Sequence, residues 1–271
     1  MRKWLVTAVA LAISFVSIRA DVTLTQTMTM EGAAAAAMGG AQLPRITMRI
    51  KGQKSRADIE MNGQTVTSIT DLAARQVITL NAATKTATIT TPESVAAGGD
   101  PLVVPNLSMT FKATGQTRAI EGQQCEEHQF TMKMSMAEMM GGQLPPEAAT
   151  MMQDVTMMME GSMWVAPAAP GAAEFTAFKK AAVESKLLSA ITGMPAGKSG
   201  GLDKVMEAAA KLPGVPYLTD ISMSFEGTGP VVEVMKQMGA VKMIQKMSNV
   251  STDAIPDEMF RVPEGYTVEK K

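Results

Sequence analysis

The sequence predicts an α+β protein built on one antiparallel sheet, and three observations carry that expectation. Short runs of alternating apolar and polar residues follow one another from Val22 to Val165, turn-forming residues separate them, and helical periodicity enters only after Pro170. Many strands, a helical stretch and then further strands is the order expected when helices pack against one face of an antiparallel sheet.

Residues 22–30 place Val22, Leu24, Met28 and Met30 on one parity, with threonines mostly on the other, as in a half-buried strand. The Gly/Ala-rich stretch 31–43 reads as a loose loop or short helix. Runs 45–51, 54–61 and 64–70 then form consecutive hairpins, with Lys51-Gly-Gln-Lys54 and Asn62-Gly63 supplying the turns. Runs 75–80 and 85–91, split by residues 81–84, extend the meander, and a Gly/Pro-rich loop, 92–105, interrupts it. Strand signals return at 107–113, 117–120, 124–136 and 154–165, with a Met/Gly/Pro-rich connection at 137–153.

Residues 172–191 read as a helix whose apolar stripe drifts along its length, from Phe175, Phe178 and Ala182 to Val183, Leu187 and Ile191. Leu202, Val205, Met206, Ala209 and Leu212 keep one helical face until Pro213-Gly214 stop the segment. Residues 217–227 resume as a strand, 231–238 read as a short helix, and 240–255 as a last strand. The expected organisation is residues 1–20 as a signal peptide, then one domain over 21–271 with a helical insert at 172–212.

The leader reading rests on Arg2 and Lys3, an apolar run over residues 4–18, and the small Ala20 at the expected cut. That run is too short for a membrane span, and no later stretch approaches eighteen consecutive apolar residues. The expected location is therefore periplasmic or secreted. Removal of Arg2, Lys3 and Arg19 from a chain with 25 basic and 26 acidic residues leaves a net acidic protein with no basic patch for nucleic acid. A single cysteine, Cys125, rules out an intramolecular disulfide, so folding rests on a hydrophobic core.

No reaction is legible. Gly193-Met-Pro-Ala-Gly197-Lys198-Ser199 approaches a phosphate-binding loop, but three residues separate its glycines where four are needed, and it follows a helix instead of a strand. His128 is the single histidine, and Cys125 lies three residues before it. On a strand that odd spacing turns the two side chains to opposite faces, so they make no nucleophile–base pair. The acidic pairs Glu126-Glu127 and Asp257-Glu258 are neighbours in sequence and likewise diverge. The expectation is a non-enzyme without a cofactor.

The unusual feature is 26 methionines against only 4% aromatic residues. On run 124–136, Glu126, His128, Phe130, Met132, Met134 and Met136 share one parity, and Met157, Met159 and Met163 share one on the next strand, beside Trp164. Phe130, Met132, Met134, Met136, Met157 and Met159 read first as an adaptable apolar core or cavity lining. The alternative is a soft-metal site, with His128, Met132, Met134 and Met136 as ligands for Cu(I) or Ag(I).

Three segments together resemble the bacterial family called domain of unknown function 4412. They are Arg49-Ile-Lys-Gly-Gln-Lys-Ser-Arg56 and the run that follows, Thr114-Gly-Gln-Thr-Arg-Ala-Ile-Glu-Gly-Gln-Gln-Cys125-Glu-Glu, and Ile255-Pro-Asp-Glu-Met-Phe260-Arg-Val-Pro-Glu-Gly265-Tyr266. The pair Trp164-Val165 is similar to a further strand of that pattern. The resemblance implies a fold like the periplasmic lipoprotein carriers, a strongly curved antiparallel sheet forming an unclosed half-barrel, with helices across its mouth and an apolar cavity between. It implies a lipid or other apolar ligand as partner and carries no catalytic residues. An envelope protein acting by protein contact alone, through a partner of unknown identity, is the third reading.

The leader makes a direct prediction. The mature N-terminus of the exported protein should fall at Asp21 or within about two residues of it, as read by Edman degradation or intact-mass mapping; retention of Met1 would exclude export by cleavage.

Overall fold

Among the described residues there are twelve strands, most with burial alternating along the run, and their ladders join into one sheet. The computed structural model describes residues 21–32, 43–97, 108–137, 151–185, 187, 202–237 and 239–270. The strands are β1 (Val22–Glu31), β2 (Arg45–Lys51), β3 (Lys54–Met61), β4 (Gln64–Asp71), β5 (Gln76–Asn81), β6 (Thr86–Thr90), β7 (Ser108–Ile120), β8 (Gln123–Ser135), β9 (Thr156–Ala166), β10 (Val215–Glu226), β11 (Val241–Ser251) and β12 (Thr267–Lys270). The helices are α1 (Pro92–Ala97), α2 (Ala172–Glu184), α3 (Leu202–Ala210) and α4 (Pro230–Gln237), with a 3-10 turn at Asp257–Phe260. Among the described residues no helix is long and apolar enough to cross a membrane.

The spatial order is β12-β6-β5-β4-β3-β2-β1-β11-β10-β9-β8-β7, an open sheet with β12 and β7 at its edges. Two meanders, β1 to β6 and β7 to β11, therefore meet at an antiparallel seam in which Gln26 faces Met247 and Met28 faces Gln245. Asn62-Gly63 closes the β3–β4 hairpin with both residues at positive φ (51° and 74°), the geometry a two-residue turn needs to follow strand twist.

The main core joins both meanders to the helical insert. Val22, Leu24, Ile50 and Val77 come from one side, Cys125, Trp164, Val215 and Tyr217 from the other, and Phe175, Phe178 and Ala182 of α2 fill between them. Gly171, at the start of α2, lies so close to Val22 that a Cβ there would collide with its side chain. Helix α2 ends at Glu184, where the backbone N–H of Ser185 bonds the Ala181 carbonyl at 2.9 Å and its hydroxyl donates to Ala182 O at 2.8 Å. The expected helix to Ile191 is thus shorter in its described part, because its drifting apolar stripe leaves no single face to bury.

The expectation of a wholly antiparallel sheet with helices on one face needs two corrections. Beyond β11 the chain runs beneath β4–β6, where Ile255 and Phe260 pack on Ile69, Ile78, Leu80 and Ala87. Register places Ile69 and Ile78 opposite one another, whereas their neighbours Thr70 and Val77 point to the other face, toward the main core. The 3-10 turn accordingly covers the face opposite α2. The chain then adds β12 parallel to β6, with Thr267 N–H bonded to Lys85 O at 2.8 Å.

Smaller differences follow the same logic. The expected loop 92–105 begins with α1, and the runs 107–113 and 117–120 are one strand, β7, interrupted by an irregularity between Ala113 and Thr117. Strand β11 stops at Ser251 instead of residue 255. The leader, most of stretches 31–43 and 137–153, and the glycine motif at 193–199 lie outside the described residues.

Polar contacts pin the C-terminal segment in place. Lys51 Nζ reaches Asp257 and the Ile255 carbonyl, both at 2.7 Å, Arg56 donates to Met259 O at 3.1 Å, and Asp21 accepts from Ile255 N–H at 2.6 Å. Beneath them Asp58 lies between Arg49 and Arg56 and accepts from Thr67 at 2.7 Å. Burial alone would push the Asp58 carboxyl up, but Arg56, Thr67 and Arg49 together outweigh it and hold the group below its ordinary range. A lowered folded pKa means stability that is present above the unfolded value, about pH 4, and lost as pH falls through the folded one. Asp58→Asn should therefore cost about 2 kcal/mol at neutral pH, with its urea-unfolding curve converging on wild type in acid. A difference that stays constant with pH would assign the loss to packing instead.

Candidate functional site

The residues singled out in the sequence lie on β8 and β9, and their register decides what they form. In that ladder His128 faces Met163, Phe130 faces Gly161, Met132 faces Met159 and Met134 faces Met157. Five of the six expected lining residues, Phe130, Met132, Met134, Met157 and Met159, therefore come together on one face, as their parity requires. His128 joins the same face, but four residues along β8 from Met132, a separation of about 13 Å.

Met136 follows at the end of the same face. It lies just beyond the end of β8, its N–H bonds the Val155 carbonyl at 2.9 Å, and it packs with Val155 and Val232 of α4 in a cluster that Met157 and Phe225 adjoin. Within the expected set His128, Met132, Met134, Met136 the histidine stands apart, because Phe130 lies between it and these thioethers, and Met136 is buried at the far end of the face.

Neighbouring strands enlarge the face with residues the sequence reading did not assign to it. On β7, Met109 faces Met132 and Phe111 faces Phe130; on β10, Met223 faces Met159, Phe225 faces Met157 and Ile221 faces Gly161. A lateral row Met109–Met132–Met159–Met223 thus crosses four adjacent strands. Above it runs a row of Phe111, Phe130, Gly161 and Ile221, and below it Met134, Met157 and Phe225. Each methionine of the row is half-buried.

Gly161 is what allows the rings to settle there. A Cβ at this position would collide with the Asp220 carbonyl and meet the Phe130 ring edge at 2.9 Å, so Phe130 fills the space a side chain would take. Its ring centroid lies 6.0 Å from that of Phe111, in a tilted pair.

The opposite face of the same strands is polar. Glu127, Gln129, Thr131, Glu160, Ser162, Asp220 and Ser222 border an open trough of about 480 Å³, with Phe130 and Gly161 at its floor. Glu127 accepts from Thr114 Oγ1 at 2.8 Å, and Asp220 pairs with Lys242 at 3.2 Å. Among the described residues, no three His, Cys, Asp or Glu side chains gather closely enough to hold a metal ion.

Cys125 and His128 diverge as their spacing requires, because β8 pairs regularly with β9 and no bulge intervenes. Cys125 is fully buried in the main core, and burial raises its thiol pKa despite the nearby Arg118, whose guanidinium stacks 4.3 Å above the Trp164 ring. Glu126 and Glu127 likewise point apart, Glu126 exposed and Glu127 buried.

No protein-family model matches the chain, and no curated protein matches it.

The burial of Cys125 makes its chemistry testable. Thiol reagents should label it only after denaturation, and Cys125→Ala should cost on the order of 1 kcal/mol. Rapid labelling of the native protein would show a reactive, accessible thiol.

Proposed function

We propose that this chain is an exported, non-enzymatic member of the domain of unknown function 4412 family that holds a lipid or other apolar ligand against a curved, half-barrel sheet. The observation that carries this reading is the continuous half-buried apolar face of β7 to β10, in which methionine and phenylalanine replace the β-branched residues usual in strands. Methionine has three rotatable bonds and a polarizable sulfur, so a face built from it conforms to a flexible acyl chain better than a face of Val or Ile. Concave apolar surfaces with few polar groups suit such ligands. The divergence of Cys125 from His128 supports the non-enzymatic part of the reading, since neither thiol nor imidazole has the other as a partner. Export to the periplasm or beyond rests on the leader at residues 1–20.

A thermal scan with a long-chain fatty acid and with phospholipid vesicles tests it, because a ligand that binds the native state raises the melting temperature by mass action. A rise of several degrees is expected. Replacing Met132 and Met134 by leucine nearly conserves volume and should cost less than about 1.5 kcal/mol each while uptake is retained. No shift with either ligand, together with no acyl chain carried by protein purified from its own host in native mass spectrometry, would overturn the reading.

A further inference from the structure

We propose that the lateral row Met109, Met132, Met159 and Met223, with Met134 and Met157 directly below, is a binding site for one soft monovalent d10 cation, Ag(I) or Cu(I). The inference does not depend on whether the same face takes an apolar ligand.

The row exists only in the folded sheet. Its four residues come from four strands, and the ladders bring them opposite one another in sequence: Met109 to Met132, Met132 to Met159, Met159 to Met223. Neighbouring strands run about 4.8 Å apart, and each thioether sits on a flexible stem, so three adjacent sulfurs of the row can converge on one ion without moving the backbone. All four side chains are half-buried, neither sealed in the core nor free in solvent, which leaves an ion a route of entry.

The chemistry of the surroundings selects the ion. Phe111 and Phe130 flank the row on one side and Phe225 on the other, so the ligands offered here are sulfur alone. Thioethers bind soft cations and leave Ca(II), Mg(II) and Mn(II) to oxygen ligands. A positive ion beside aromatic faces also gains a cation–π contribution. His128 and Met136 drop out of the ligand set. The Phe130 row separates the histidine from these sulfurs, and Met136 is buried with Val155 and Val232 beyond Met134 and Met157, two rows from Met132 and Met159.

Silver titration of the full mature protein tests this without redox side reactions. The Cys125→Ala background removes the one competing thiol. The expected result is one Ag(I) per chain in native mass spectrometry and a raised melting temperature. In Met132→Leu/Met159→Leu the silver affinity should fall more than about tenfold, with circular dichroism and the melting point of the metal-free protein retained. Met61→Leu, a change at an exposed methionine on β3, should bind silver as the parent does. Silver bound equally well by the double leucine variant, scattered binding of several ions, or no binding by the parent would each overturn the proposal. Should the double variant unfold, Met109→Leu/Met223→Leu at the two ends of the row reads the same loss.

Discussion

Everything in this molecule depends on the pairing of β1 with β11. The strands β1 to β6 and β7 to β11 are each a chain of local hairpins, and hairpins alone bury too little to be stable. The seam makes them one sheet, and Val22 and Leu24 of the same strand then enter the core beneath α2. Closing that contact joins residues more than two hundred positions apart, from Thr23 to Ser251, so its entropy must be met before any of the shared core is gained. A fold with such a seam belongs with the slow, non-local topologies.

Along β8 the buried side changes over. Cys125 and Glu127 are buried in its first half, and Phe130 is buried in its second, on the opposite parity. One strand therefore serves the main core at one end and the methionine face at the other. That division explains why the thiol and the imidazole, only three residues apart, live in unrelated surroundings. It also puts the polar trough and the apolar face back to back across a single layer of backbone.

How much of this was legible in the sequence depends on the range of the interaction that decides each part. Strands β2 and β3 could be bounded to the residue, since Asn62-Gly63 and alternating apolar positions act locally. The coming together of Met132 and Met134 with Met157 and Met159 was legible too, because parity within each strand fixes the face and the two strands are consecutive. The four-methionine row was not, because it needs the register of β7 against β8 and of β9 against β10. An irregularity near Gly115 shifts the first, and the second is made across the helical insert. Strand β12 was missed for a similar reason. Thr267–Lys270 is exposed throughout, shows no apolar alternation, and is a strand only because β6 offers it an edge. Segment 252–266 carries little periodicity, yet Ile255 and Phe260 give β4–β6 their second buried face.

The two margins of the sheet are finished differently. On one side the short β12, with its Glu269 and Lys270, occupies the outer side of β6. On the other, β7 is long, but the irregularity at residues 114–116 breaks its line and Lys112 and Arg118 stand along it as charges. Bulges and charges of this kind deny a second strand a straight run of free amides and carbonyls. The sheet thus carries its own stops against growth by further strands.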